Sequence, residues 1–161
     1  MELAIISDTH LPRGNRHLPP TCVERLRRAD LIIHAGDLTT LDVLAELESL
    51  GEVAAIRGNV DDAAVRARLP ATRIVAAGGV RIAIIHDAGP RIGRLERMRR
   101  RFPHTDAVVF GHSHLPLHET AGGFQIFNPG SPTERRRAPV HTMGLARIAE
   151  GSVRFELVEL G

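Results

Sequence analysis

Apolar residues along this chain gather in five short runs separated by polar, glycine-punctuated segments. The runs are Leu3-Ala4-Ile5-Ile6, Leu31-Ile32-Ile33, Val53-Ala54-Ala55-Ile56, Ile82-Ala83-Ile84-Ile85 and Ala107-Val108-Val109-Phe110. Runs of this length, bounded by turn residues, predict strands buried on both faces. Between them lie stretches with helical spacing. Pro20 to Ala29 carries Val23 and Leu26, with Pro20 suited to a first helical turn. Thr39 or Thr40 is placed to cap a helix holding Leu41, Leu44, Ala45 and Leu47 and closed by Gly51, and Asp61 to Leu69 forms a shorter candidate. Pro90 to Phe102 sets Ile92, Leu95, Met98 and Phe102 on one face and arginines elsewhere.

The first three runs alternate with helices, the pattern of right-handed βαβ units. From Arg73 onward the pattern changes to paired strands. Arg73–Ala77 and Val80–Ile85 flank Gly78-Gly79, and Leu115–Glu119 and Phe124–Phe127 flank Gly122-Gly123. Met143–Ile148 and Val153–Glu159 flank Glu150-Gly151. This predicts two packed sheets with helices outside, in a single domain spanning residues 1–161.

Composition narrows the function. No apolar run approaches the roughly 20 residues of a membrane-spanning helix, and the amino-terminal run is short and ends at Asp8, so it reads as a strand rather than a leader. Cys22 is the sole cysteine, which excludes an internal disulfide and a thiolate metal site and points to the cytoplasm. All 21 basic residues are arginine, which lifts the isoelectric point to about 9.8 although the formal charge is only +2. Trp and Tyr are absent and Phe is scarce, so the stacking platforms of single-strand binders are missing and no specific nucleic-acid partner is expected.

The chemistry sits at the ends of the runs. They lead in order to Asp8 and His10, to His34 and Asp37, to Asn59, to His86, and to His112 and His114. Carboxyl ends of parallel strands are where ligands gather in open α/β sheets. Asp8 and His10 can face one ion, Asp37 offers a carboxylate able to bridge two, and His112 and His114 can serve neighbouring ions. Mixed oxygen and nitrogen donors without sulfur point to Mn, Fe, Zn, Co or Ni rather than Cu(I) or an Fe–S cluster. His34, inside a strand-like run, reads as a hydrogen-bonded core histidine. His104, His118 and His141 belong to no motif.

Asp8-Thr9-His10, Gly36-Asp37, Gly58-Asn59, His86 and Gly111-His112-Ser113-His114 resemble the ordered motifs of the calcineurin-like metallophosphoesterases, and Asn128-Pro129-Gly130-Ser131 resembles their small prokaryotic phosphodiesterase branch. The resemblance implies a four-layer α/β/β/α sandwich with a dinuclear metal site at the strand ends, for two divalent ions with Mn expected first and Fe, Zn, Ni, Co or Mg as alternatives. It implies Asp8, His10, Asp37 and His114 around a first ion, and Asp37, Asn59, His86 and His112 around a second. Water or hydroxide activated by both ions would then attack phosphorus, with Asp37 and His112 the residues closest to the chemistry.

Two positions depart from the family pattern. Val60 stands where many members carry a histidine that serves the leaving group, and His86-Asp87-Ala88-Gly89 replaces a common His-Gly-His. His17, in the basic loop from Arg13, is a candidate replacement acid. Asp87 reads as a cap for the helix expected from Pro90 rather than as a residue orienting a ligand imidazole. Arg13, His17 and Arg135 are candidate substrate contacts, although Arg135-Arg136-Arg137 reads first as a solvated run. The expected activity is phosphodiester hydrolysis on a small or nucleotide-like phosphate ester. A phosphomonoesterase and a non-catalytic scaffold like the retromer subunit of this fold are the alternatives, and a homo-oligomer is compatible with an exposed sheet edge.

Overall fold

The computed structural model describes residues 1–161. Two five-stranded sheets stack face to face. In the first, β1 (Glu2–Ile6), β2 (Leu31–His34) and β3 (Val53–Ala55) run parallel, and the helices α1 (Pro20–Arg28) and α2 (Leu41–Leu50) connect them. A third helix, α3 (Ala63–Arg68), leads to the second sheet, which holds β4 (Thr72–Ala77), β5 (Val80–Ile85), β6 (Ala107–Val109), β7 (Leu117–Ala121) and β8 (Phe124–Asn128). Helix α4 (Arg94–Arg101) links β5 to β6. The closing hairpin, β9 (His141–Ala149) and β10 (Ser152–Leu160), crosses back to the first sheet, where β9 pairs antiparallel with β1.

Side-chain parity explains why this sequence makes four layers. Successive residues of a strand point to opposite faces. On β1, Leu3 and Ile5 enter the core between the sheets, while Ala4 and Ile6 pack outward with Cys22 and Leu26 of α1 and Leu44 and Leu47 of α2. On β5, Ile82 and Ile84 face the central core, and Ala83 and Ile85 face Met98 of α4. A strand apolar at every position therefore needs a layer on each side. Each such large side chain contributes roughly 1.5–3 kcal/mol by leaving water. At the centre, Phe127 stacks on Phe155 with ring centroids 4.7 Å apart.

The helices follow their local chemistry, with three corrections. Pro20 does open α1, and the Asp62 carboxylate caps α3 by accepting from Val65 N–H at 2.9 Å. Thr40 occupies the cap position of α2 without a capping bond, and the Thr39 hydroxyl donates instead to the Leu11 carbonyl. The helix expected from Pro90 begins only at Arg94. Gly89 and Gly93 both have positive φ, and the guanidiniums of Arg94 and Arg97 hold the carbonyls of Ala88, Gly89, Pro90 and Ile92 in a looped path. Ile92 consequently lies outside the core, 91% exposed, and Asp87 caps no helix: its carboxylate accepts from Gly89 N–H at 2.8 Å. No helix is long and apolar enough to cross a membrane.

Candidate metal centre

The loops beyond β1, β2, β3, β5 and β6 bring the seven ligand candidates to one rim of the stacked sheets. Their backbone is unusual. Asp8, His10, Asp37, His112 and His114 all adopt positive φ, between 47° and 71°. Non-glycine residues rarely do so, and such strain persists only where surrounding contacts enforce it. The enforcing contacts are visible. Asp8 N–H donates to the Gly36 carbonyl and His10 N–H to the Asp37 carbonyl, each at 3.0 Å. A Cβ at Gly58 would run into the Asp37 carboxylate, and one at Gly111 into Ser7 Oγ and, at 2.6 Å, Asp8 Oδ2. These two glycines are required by close approach.

The donors converge around two carboxylates. Asp8 Oδ1 lies 3.5 Å from His114 Nε2, 3.8 Å from His86 Nε2 and 3.9 Å from His10 Nε2. Asp37 Oδ2 lies 3.1 Å from His86 Nε2 and 3.4 Å from His10 Nε2, so it stands between the two halves of the cluster. Asn59 Oδ1 lies 2.9 Å from His86 Nε2 and 3.1 Å from His112 Nδ1. Asp8, His10, Asp37, His86 and His114 are buried, whereas Asn59 and His112 are exposed.

Outer contacts set the proton positions. His86 Nδ1–H donates to the Ala35 carbonyl at 2.7 Å, and His114 Nδ1–H to the Glu134 carbonyl. A carbonyl can only accept, so in their neutral forms both rings turn a lone pair at Nε2 toward the cluster. His10 Nδ1 faces Glu134 Oε2 at 3.5 Å. His34, fully buried, accepts from Gly36 N–H at Nδ1 and donates from Nε2 to Thr9 Oγ1 at 3.0 Å. Burial pushes its pKa down to about 4, so it remains a neutral brace between the β1 and β2 loops.

Charge in the cluster follows the same contacts. Burial disfavours a charged His10, but the carboxylates of Asp37 and Asp8 outweigh it and raise its pKa to about 9. His86 is raised for the same reason against the same burial penalty. Burial would lift Asp37, yet the imidazoles of His10 and His86 close beside it hold it well below the usual carboxylate range. His114 is lowered by burial. Two imidazole nitrogens, His10 Nε2 and His114 Nε2, are buried without any hydrogen-bond partner. Buried nitrogens left unpartnered beside carboxylates fit divalent cations, which take such donors.

Three residues that sequence reasoning overlooked hold the cluster in shape. The Asp61 carboxylate accepts from the N–H groups of Asp37, Thr39 and Gly58, tying the β2 and β3 loops together. Ser7 Oγ donates to Asp8 Oδ2 at 2.8 Å. Glu134 faces His10 and also pairs with Arg13 at 2.9 Å and Arg16 at 3.8 Å. The Gly58-x-x-Asp61 spacing is a turn signal that could have exposed Asp61; Glu134 has no comparable local signal.

The other candidates spread out. Arg13 is engaged by Glu134. Arg135 donates to the Ala138 carbonyl at 2.8 Å, closing its own turn. His17 lines a depression with Asp42 and Glu46 to whose wall none of the seven ligand candidates contributes. Val60 is 44% exposed, and its N–H donates to Asp37 Oδ1 at 3.0 Å. Asp87 Oδ2 lies 3.9 Å from His112 Nε2. Ser131 Oγ and Thr133 Oγ1 donate to the carbonyls of Asp8 and Thr9, which places the Asn128–Ser131 loop against the site.

Known proteins match this arrangement over its whole length. The calcineurin-like phosphoesterase superfamily domain matches residues 1–151. A probable metallophosphoesterase of Methanothermobacter thermautotrophicus is 33% identical over 164 residues, covering 100% of this chain and 94% of its own. Another, from Methanocaldococcus jannaschii, is 34% identical over 139 residues, covering 84% of this chain and 70% of its own. Among solved structures, wild-type Vps29 of Entamoeba histolytica complexed with zinc is similar with a TM-score of 0.78 at 25% identity, over 99% of each chain. The chain belongs to the calcineurin-like phosphoesterase superfamily, whose members are metal-dependent phosphoesterases.

Proposed function

We propose that this protein is a metal-dependent phosphodiesterase that uses two divalent cations, manganese favoured, to hydrolyse a small or nucleotide-like phosphate ester. The observation that carries the reading is the pair of buried, unpartnered imidazole nitrogens of His10 and His114 facing the Asp8 carboxylate. Asp8, His10, Asp37 and His114 would hold one ion; Asp37, Asn59, His86 and His112 would hold the other. Such a pair supplies polarisation of the phosphate and activation of water as nucleophile.

The chain's own residues do the positioning. Asp37, held by Val60 N–H and by the loop that Asp61 organises, keeps the two halves at a fixed separation. Exposed His112 and Asn59 form the face that a substrate reaches. Val60 has no proton to give a departing alkoxide, which favours esters whose leaving group departs without protonation. The buried, unpaired Cys22 fits a reducing cytoplasm.

A scaffold role has only the shared fold behind it, while the complete donor set supports turnover. The test is hydrolysis of bis(p-nitrophenyl) phosphate and p-nitrophenyl phosphate by the manganese-loaded protein. Diester turnover that is lost in Asp37→Ala supports the reading. Bound metal without turnover of either ester, or preference for the monoester, overturns it.

A further inference from the structure

A cavity of about 430 Å³ is framed by the two segments that leave the metal centre. Arg91 and Arg94 come from the chain beyond His86, and Ser113, Leu115 and Pro116 from the loop that carries His112 and His114; Arg137 completes the wall. Its volume falls within the roughly 300–1,000 Å³ typical of small-molecule sites.

The cavity's lining is basic, with Glu119 and Asp87 acting on Arg94 from outside it. No Asp or Glu lines it, and the molecule's arginine ion pairs use Arg13, Arg16, Arg28, Arg99 and Arg147, none of the cavity's three. Arg94 is fixed in place: its Nε and Nη2 donate to the Gly89 carbonyl, and its guanidinium lies 5.0 Å above the Phe110 ring. Ser113 Oγ accepts from Leu115 N–H and Asn128 Nδ2, neither of which uses its own proton. Beside these polar groups lies an apolar floor, including Leu115 at 42% exposure. Guanidiniums lining one cavity suit an oxyanion over a neutral group, a phosphate being the one expected beside a centre for phosphate esters, and the apolar floor suits an organic body attached to it.

We propose that this cavity is a second-anion subsite: it holds a terminal phosphomonoester of the substrate whose diester is cleaved at the metal centre. The substrate class is therefore a nucleotide-like diester bearing an additional phosphate. This rests on the phosphodiesterase reading above, since the metal centre is assigned to the scissile group.

The test is titration calorimetry of the manganese-loaded full chain with thymidine 3′,5′-bisphosphate, thymidine 5′-phosphate and thymidine 3′-phosphate. The bisphosphate should bind about tenfold or more tightly than either monophosphate, the size expected of one or two charge-assisted hydrogen bonds. The double variant Arg91→Gln/Arg137→Gln should erase most of that advantage, whereas Arg27→Gln/Arg154→Gln, an equal loss of charge at exposed positions of α1 and β10, should keep it. Equal affinities in the wild-type protein, or an advantage untouched by the double variant, overturn the proposal. If inorganic phosphate in solution improves monophosphate binding as much as the covalent second phosphate does, the cavity holds a free anion and the substrate assignment falls. Hydrolysis of bis(p-nitrophenyl) phosphate by the same preparation separates the two levels. Its absence strikes the phosphodiesterase reading, while the affinity ratio alone decides the subsite.

Discussion

The two halves of the metal centre are built to different standards. Around Asp8, His10 and His114 every side chain is buried, the backbone is strained at each residue, and Ser7, Ser131 and Glu134 brace the group from behind. Around Asn59 and His112 the side chains reach solvent, and the nearest acidic neighbour of His112 outside the cluster is the 59% exposed Asp87. Asp37 joins the halves. On the two-ion proposal, the difference would leave one position sealed and preorganised and the other open enough for a substrate to enter. The sealed half should bind metal first and release it last.

Breaking the junction should have the largest effect. Asp37→Ala removes the carboxylate common to both halves, and kcat/KM for a chromogenic diester should fall about 10³-fold or more, ~4 kcal/mol of transition-state stabilisation. Metal content by atomic emission should fall in parallel. Next comes His112→Ala, which empties only the open half. Activity should drop about 10²-fold, ~2.7 kcal/mol, while one tightly held ion remains. Glu134→Gln strikes the sealed half from behind. Loss of an outer carboxylate facing a ligand histidine should weaken the tighter metal affinity about 10–100-fold, with the open half unaffected in equilibrium dialysis.

Acidity sharpens the comparison further. In the metal-free protein, His10 holds its proton up to about pH 9, and a ligand imidazole must be neutral to bind metal. Metal affinity should therefore rise with pH up to about 9, at most about tenfold per unit for each proton displaced. Calorimetry in buffers of different ionisation enthalpy would count those protons. Stability runs the other way. Because the folded pKa of His10 lies above the ordinary value of 6.5, its contribution is complete below 6.5 and lost as pH rises through about 9. Thermal unfolding of metal-free protein should show that decline, and metal-loaded protein should not.

Much of this site was legible in the sequence because strand parity and ligand chemistry reinforce each other. A strand buried on both faces leaves no place for Asp or His except its end, so the endings of β1, β2, β3, β5 and β6 marked the rim. Glu134 and Asp61 escaped because they act from loops through contacts distant in sequence, where no periodicity reports them. Helix α4 was read as starting four residues too early because Pro90 and Ile92 imitate a helical first turn. What breaks the imitation is the positive φ of Gly89 and Gly93 together with guanidiniums occupying the carbonyls between them. The return of β9 to pair with β1 is likewise a long-range choice: the hairpin was readable, its partner was not.

The most direct test is a manganese titration of metal-stripped protein, following bound metal and hydrolysis of bis(p-nitrophenyl) phosphate in the same samples. The sealed and open halves predict two equivalents bound in sequence, with hydrolysis rising only during the second. Full activity at one equivalent, or two bound equivalents with no hydrolysis, would contradict the account.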